Sequence, residues 1–318
     1  MERRIGDEIL IFSGNSNPIL AQEICQHLEI PLGRAKVEYF NDKEINLQVM
    51  ENARSRHAIV IQSTSFPPND HLMELLLFVD ALKRASAKTI TAVIPYYGYA
   101  RQDRKTESRV PISAKVVADL LAAVGTNRVV TMELHSGQIQ GFFNIPVDNL
   151  YMMPIIQPLL ESMFENNLCI VSPDAGGVPR ARALAKRLKD AGIALIDKRR
   201  PKPGEAEVMN VIGSVEGKTA IILDDMADTA GTLTQAAAAL KKMGAKKIIA
   251  CCTHAVLSGP AVKRIEDSAI EKLIVSNTIP LKEDAARCKK IQQFSVAGLI
   301  AEAIKRVHSG QSISSLFE

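Results

Sequence analysis

One helix-then-strand segment occurs twice in this chain, and that repeat constrains the fold more than any other feature. Ala81-Leu-Lys-Arg-Ala-Ser-Ala-Lys-Thr-Ile-Thr-Ala-Val93 aligns with Ala239-Leu-Lys-Lys-Met-Gly-Ala-Lys-Lys-Ile-Ile-Ala-Cys251, with identities at Ala81, Leu82, Lys83, Ala87, Lys88, Ile90 and Ala92. The same offset, within a residue, sets Ile11-Phe-Ser-Gly beside Ile170-Val-Ser-Pro. Two matches at one offset argue for two tandem copies of one α/β unit. Short apolar runs at Ile9–Phe12, Ala58–Gln62 and Ile90–Pro95 read as buried strands, and Ile19–Leu28 and His71–Arg84 as helices. A further extended segment starts at Val37–Phe40. Strands alternating with helices predict a mostly parallel sheet covered on both faces. The expected fold class is therefore α/β, in two pseudo-symmetric domains over 1–150 and 151–318. Their boundary is expected near Val147–Pro154, where Pro146, Pro154 and Pro158 interrupt the pattern. A chain of 318 residues is long enough to bury two cores.

The copies differ where chemistry would sit. In the second, the apolar run Ala220–Leu223 feeds Asp224-Asp-Met-Ala-Asp-Thr-Ala-Gly-Thr232, then an Ala-rich helix closed at Gly244. A strand entering a helix through such a turn aims backbone N–H groups at one point, and the helix dipole favours a phosphate there. Thr229 and Thr232 add hydroxyl donors, and Gly231 lets the backbone approach closely. The adjacent acids Asp224 and Asp225 suit the vicinal hydroxyls of a ribose. The bland reading, that Asp224, Asp225 and Asp228 merely cap the unit, suits one acid better than this pattern. The first copy has Ile61-Gln-Ser-Thr-Ser at the same place, with no acidic pair.

Composition excludes several classes. The net charge is +4, aromatic residues are 4% and tryptophan is absent, so stacking platforms for nucleic-acid strands are not expected. Lys and Arg are scattered or sit beside phosphate-type motifs, which points to small anions and not to nucleic acid. Five cysteines without C-x-x-C spacing imply neither a disulfide framework nor a zinc site, and a reducing compartment. The apolar stretch at Ile9–Phe12 is too short for a membrane span or signal peptide, so a cytoplasmic enzyme with no membrane partner is expected.

Four further stretches carry chemistry. Pro95-Tyr-Tyr-Gly-Tyr-Ala-Arg-Gln-Asp-Arg-Lys-Thr-Glu-Ser-Arg109 leaves a strand and reads as a basic loop able to close over a polyphosphate through Arg101, Arg104, Lys105 and Arg109. His135, in Glu133-Leu-His-Ser-Gly-Gln, lies just past a strand end, where parallel sheets hold ligands. Asp174, in Ser172-Pro-Asp-Ala-Gly-Gly177, is placed to bind a metal or a hydroxyl, and His135 and Asp174 could share one Mg2+. Asp197-Lys-Arg-Arg200 ends another apolar strand. Lys198 and Arg200, alternate residues of extended chain, would face one way and stabilise charge on a transferring phosphoryl group.

Taken together these stretches resemble the ribose-phosphate diphosphokinase (PRPP synthetase) family, of the phosphate-activated, Mg2+-dependent class, whose two domains have the type I phosphoribosyltransferase fold. Tyr99-Ala-Arg-Gln-Asp-Arg-Lys105 is similar to its flexible catalytic loop, Glu133–Phe143 to its metal-and-ATP segment, and Asp224–Thr232 to its ribose-phosphate loop. The resemblance implies transfer of the β,γ-diphosphoryl group of ATP to the C1 hydroxyl of ribose 5-phosphate, giving PRPP and AMP for nucleotide, histidine and tryptophan biosynthesis. It implies catalytic roles for Lys198, Arg200, Arg101 and Arg104, and ATP contacts from Arg101, Gln102, Asp103 and His135. Phe40, Asp42 and Glu44 would reach the adenine of a neighbouring subunit's ATP. Asp174, Asp224, Asp225, Asp228, Thr229, Ala230, Gly231 and Thr232 would hold ribose 5-phosphate. A homo-oligomer is implied, typically a hexamer, with inorganic phosphate and ADP as effectors near Arg54, Arg109 and Ser258-Gly-Pro260. Two departures stand out: Glu133 replaces the family's usual Asp before Leu-His, and Ser136-Gly137 replaces Ala and a variable residue. A catalytically silent regulatory paralogue is the alternative, and the uninterrupted Arg101, Arg104, Lys105, Lys198 and Arg200 argue against it.

Overall fold

A computed structural model describes residues 8–164, 166–189, 191–199 and 208–316. The chain divides into two compact units, one running to Tyr151 and joined by Thr278–Pro280 and the residues from Ser295 on, the other comprising Met152–Asn277 and Leu281–Phe294. In the first unit β1 (Ile9–Ser13), α1 (Pro18–Leu28), β2 (Ala35–Tyr39), β3 (Ile45–Val49), β4 (His57–Ile61), α2 (Pro68–Arg84), β5 (Thr89–Ile94), α3 (Ser113–Val124), β6 (Arg128–Met132) and β7 (Val147–Leu150) follow in order. The second begins with α4 (Met153–Met163), β8 (Leu168–Ser172), α5 (Val178–Arg187), β9 (Gly192–Arg199) and β10 (Val208–Ile212). It continues with β11 (Thr219–Ala227), α6 (Gly231–Lys242), β12 (Lys247–Ala255), α7 (Ala261–Asp267), β13 (Lys272–Ser276), α8 (Glu283–Arg287) and β14 (Ile291–Phe294). The last helix, α9 (Ala297–Ser309), packs against α1 of the first unit. Its buried residues Ala297, Ile300, Ala301 and Ile304 fall at helical spacing on one face.

The repeat is visible in the sheets. The first sheet has the order β1-β4-β5-β6-β7, all parallel. In the second, β8-β11-β12-β13-β14 has the same order and is again parallel, with β9 and β10 added at the β8 edge. The twice-written segment is the end of α2 with β5, and the end of α6 with β12. Each sheet buries its strands on both faces, which is why they read as apolar runs and not as alternating ones. Phe12, Val60, Phe78, Leu82, Ile94 and Leu121 belong to the first core, and Ile222, Leu240, Ile248 and Leu273 to the second.

Several local expectations change. The extended segment at Val37–Phe40 is one arm of an antiparallel hairpin, β2–β3, which forms a separate two-stranded sheet. Helix α2 begins at Pro68, not His71, since proline suits a first turn whose N–H would have no partner. The chain passes from the first unit to the second between Tyr151 and Met152, inside the expected stretch, but the prolines themselves interrupt no element. Val147–Leu150 is the edge strand β7, and Pro154 and Pro158 lie within α4. Gly244, at φ 83°, follows α6 as expected, with Ala245 N donating to Leu240 O at 3.0 Å.

Candidate active site

The acids of the second unit sit on a longer strand than the sequence indicated. β11 carries Asp224 and Asp225 within its last turn-facing residues and ends at Ala227. The connection then narrows to 228–230, with Ala230 left-handed at φ 57° as the N-cap of α6. Ala230 has no side chain able to cap that helix and no acid lies in its first turn, so the dipole at its N-terminus is not offset by an acid of the helix itself. A Cβ on Gly231 would meet no atom closer than 3.4 Å. Room inside the protein therefore does not require the glycine, and the freedom it gives lies toward the open side.

Asp225 is buried and Asp224 partly so, and the backbone N of Asp225 donates to Asp224 Oδ1 at 2.9 Å. Desolvation first, and then the neighbouring Asp225 charge, push the Asp224 carboxyl up to about 8. Arg180, in the first turn of α5, works in the opposite direction. At the end of β8, Asp174 is exposed on a tight turn. Its Oδ1 accepts from Gly177 N at 2.9 Å, and Ser172 Oγ donates to its carbonyl at 2.6 Å. A Cβ on Gly177 would stand 2.6 Å from Ser172 Oγ, so a larger residue there would displace that hydroxyl from the Asp174 carbonyl.

A second layer holds the 228–230 turn from behind. Leu257 N donates to Ala227 O at 2.9 Å and Ser258 N to Asp228 O at 3.1 Å, while Ser258 Oγ donates to Asp228 Oδ1. Arg264 Nη1 donates to Thr229 O at 3.0 Å. Thr229 and Thr232 are exposed, Asp228 and Gly231 half-buried, and Ala230 buried. Sequence reasoning missed Arg180, whose charge acts on Asp224 from α5, and Arg264, which holds the Thr229 carbonyl from α7, because each belongs to a different element. Ser258 was assigned to an effector region, and here it is engaged with Asp228.

In the first unit the basic loop is anchored at its start and exposed beyond. Tyr96 and Tyr97 are buried, and Tyr97 Oη donates to Ala114 O at 2.9 Å. A Cβ on Gly98 would stand 2.4 Å from Thr64 O, so the chain turns there only with glycine. Arg101, Gln102, Arg104, Lys105 and Arg109 are exposed and Asp103 half-buried. Gln102 is held by Ser113 Oγ and by Ala114 N, which donates to its carbonyl. His135 is exposed just past β6. The departure Glu133 is buried beneath it at φ 44°, with its N donating to Leu150 O at 2.7 Å. Phe40, Asp42 and Glu44 form the tip of the β2–β3 hairpin. Glu44 N donates to Asp42 Oδ1 at 3.1 Å, and Phe40 is 53% exposed.

Of the pair expected to be catalytic, only Lys198 falls within the described residues. The backbone of Lys198 lies in β9, opposite Met209 of β10, and Arg200 lies outside the described residues. Asp174 and His135 belong to different units, each described by itself. Taken singly, an exposed imidazole and an exposed carboxylate with one oxygen already oriented are each of a donor type that suits a Mg2+ taking few protein ligands. No cluster of three or more metal-ligating side chains occurs among the described residues. A cleft of about 270 Å³ lined by His57, Thr89, Arg128 and His308 opens at the N-terminal ends of the first sheet's strands, the end opposite to where parallel sheets bind ligands. All five cysteines are buried and form no disulfide. No helix among the described residues is long and apolar enough to cross a membrane.

Residues 9–125 match the family model of the N-terminal domain of ribose phosphate pyrophosphokinase, and residues 198–318 match that of the phosphoribosyl synthetase-associated domain. The chain is 56% identical over 312 residues to the ribose-phosphate pyrophosphokinase of Nitrosomonas europaea, covering 98% of each. It is 56% identical over 318 residues to that of Bacillus subtilis, covering all of each. Among solved structures it is similar to phosphoribosylpyrophosphate synthetase from Mycobacterium smegmatis, at a TM-score of 0.91 and 39% identity, over 95% of this chain and 99% of that one.

Proposed function

The chain belongs to the ribose-phosphate pyrophosphokinase family, and from that premise we propose how its residues divide the work. It is a transferase that moves the β,γ-diphosphoryl group of ATP to the C1 hydroxyl of ribose 5-phosphate, forming PRPP and AMP. The observation that carries the assignment of residues is the end of β11. There a buried and a half-buried carboxylate stand one short turn before a helix N-terminus that its N-cap residue leaves uncapped and that has no acid in its first turn.

In this reading Asp224 and Asp225 accept from the ribose hydroxyls, and the N–H groups at the start of α6, with Thr229 and Thr232, hold the 5-phosphate. Lys198 and Arg200, with Arg101 and Arg104 of the loop after β5, answer the charge that develops as the C1 oxygen attacks the β-phosphorus and AMP departs. Gln102, Asp103 and His135 contact ATP. His135 and Asp174 are the proposed donors to Mg2+, an ion that neutralises phosphate charge when bound. The exposed Phe40 at the hairpin tip supports a contact with adenine on a neighbouring subunit, and with it a homo-oligomer, hexameric in the family's usual form. Phosphate and ADP as effectors, and a cytoplasmic location, complete the reading, the latter supported by five unpaired buried cysteines.

The test is nucleotide chromatography after mixing pure protein with ATP, ribose 5-phosphate, Mg2+ and phosphate. AMP that forms only with ribose 5-phosphate present is the expected result. ADP instead would mean an ordinary kinase, and no turnover with ribose 5-phosphate still bound would mean a silent regulatory subunit.

A further inference from the structure

Arg264 stands in an electrostatic setting that its own surroundings leave incomplete. It is exposed on α7, and its Nη1 donates to Thr229 O at 3.0 Å while lying 3.4 Å from where a Cβ on Gly231 would be. That carbonyl is its one partner among the described residues, and no described carboxylate pairs with it. A guanidinium carries five N–H donors in a planar fork, so most of its donors remain for something else. Its neighbour is the N-terminus of α6, the positive end of a helix dipole. Two positive groups side by side repel each other unless an anion lies between or beside them.

The arrangement is also held in place. Ala261 N donates to Ser258 O at 3.2 Å, and Leu257 and Ser258 are bonded to the end of β11, so α7 starts from a segment fastened to the very turn Arg264 touches. We propose that Arg264 is a phosphate-positioning residue. It fixes the 229–231 turn through the Thr229 carbonyl and adds its charge to the α6 N-terminus, thereby setting affinity for the 5-phosphate of ribose 5-phosphate and not the rate of diphosphoryl transfer. This rests on the reading of the β11–α6 loop given above.

The experiment compares Arg264→Ala, Arg264→Gln and Arg264→Lys by steady-state kinetics and by calorimetric titration with ribose 5-phosphate. Arg264→Ala is expected to weaken ribose 5-phosphate about 10- to 100-fold, as loss of a charge-assisted hydrogen bond does, with kcat and the KM for ATP within about twofold. Arg264→Gln keeps a donor for the Thr229 carbonyl without the charge, so it is expected to stay nearly as weak as Ala. Arg264→Lys restores charge without the fork and is expected to recover part of the affinity. Full recovery in Arg264→Gln would overturn the charge role. So would unchanged ribose 5-phosphate affinity in Arg264→Ala, or a parallel loss of kcat and ATP affinity in all three. If the unaltered protein itself fails to bind ribose 5-phosphate, the loop reading falls and this inference with it. Normal binding by both it and Arg264→Ala sinks the inference alone.

Discussion

The two units repeat one topology and finish it in opposite ways. In the first, β4 is followed by Gln62, Ser63, Thr64 and Ser65, all buried, and α2 begins with Pro68 after Pro67 and carries Asp70 in its first turn. Two prolines remove two N–H donors from the place where an anion would bind, and the acid opposes the dipole. The space itself is filled from within. Glu74, fully buried, accepts from Asn15 N at 2.5 Å, from Asn15 Nδ2 at 3.1 Å and from Gln62 Nε2 at 3.0 Å. A Cβ on Gly14 would stand 2.3 Å from Gln62 Oε1 and 2.4 Å from Glu74 Oε1. In the second unit the matching strand end carries an acidic pair and small hydroxylic residues, and leads to a helix whose N-cap, Ala230, makes no side-chain cap bond. The same strand end thus holds a self-satisfied core network in the first unit and, in the proposed reading, a ligand site in the second, and the choice lies in a few side chains.

The largest effect is expected where the second unit adds strands that the first sheet lacks. Lys198→Ala is predicted to lower kcat about 100- to 1,000-fold while leaving ribose 5-phosphate binding within about threefold, since the proposed role of its charge is to answer the transition state. A loss confined to KM would show that β9 serves binding only and would weaken the contrast between the units. Next, Asp225→Ala is predicted to raise the KM for ribose 5-phosphate about 10- to 100-fold, read by initial rates at saturating ATP. The counterpart in the first unit is Glu74→Leu. It strands the Asn15 N–H, the Asn15 amide and the Gln62 amide, and is predicted to cost about 3 kcal/mol in denaturant unfolding with the KM for ribose 5-phosphate unchanged. A shifted KM with little loss of stability would make the first unit's network part of the substrate site.

What the sequence showed and what it hid follow from distance along the chain. The β11–turn–α6 unit that carries the proposed site was legible because strand, acids, turn and helix are consecutive, so local patterns report it. The duplication was legible because α2–β5 and α6–β12 keep the same residues at surface and core alike. Glu74 was not legible. On a helix with buried Leu75, Phe78 and Val79 it reads as one more acid of an exposed face, and only packing against Asn15 and Gln62 takes it inside. Arg264 and Arg180 were missed for the same reason, since each belongs to another element. The hairpin at 35–49 was missed because its strands are short and half-exposed, and their pattern stops where the turn begins.

The smallest predicted effect concerns pH and belongs to the open site alone. Burial and the Asp225 charge hold the Asp224 carboxyl at about 8, from an ordinary value of 3.8. A folded-state value raised in this way stabilises the fold below the ordinary value, and that contribution is lost as pH rises through about 8. Binding runs the other way, because ribose hydroxyls donate best to an ionised carboxylate. Affinity for ribose 5-phosphate should therefore increase severalfold between about pH 7 and 8.5 and level off above, a range in which the substrate's own phosphate, with a second pKa near 6, is already a dianion. Asp225→Asn removes the neighbouring charge and should move the break to lower pH, while Arg180→Ala should move it higher. Calorimetric titrations across that range check all three curves. A flat profile in the unaltered protein would mean that Asp224 is already ionised at neutral pH, and that the open strand end differs from the filled one in shape and donors but not in its proton.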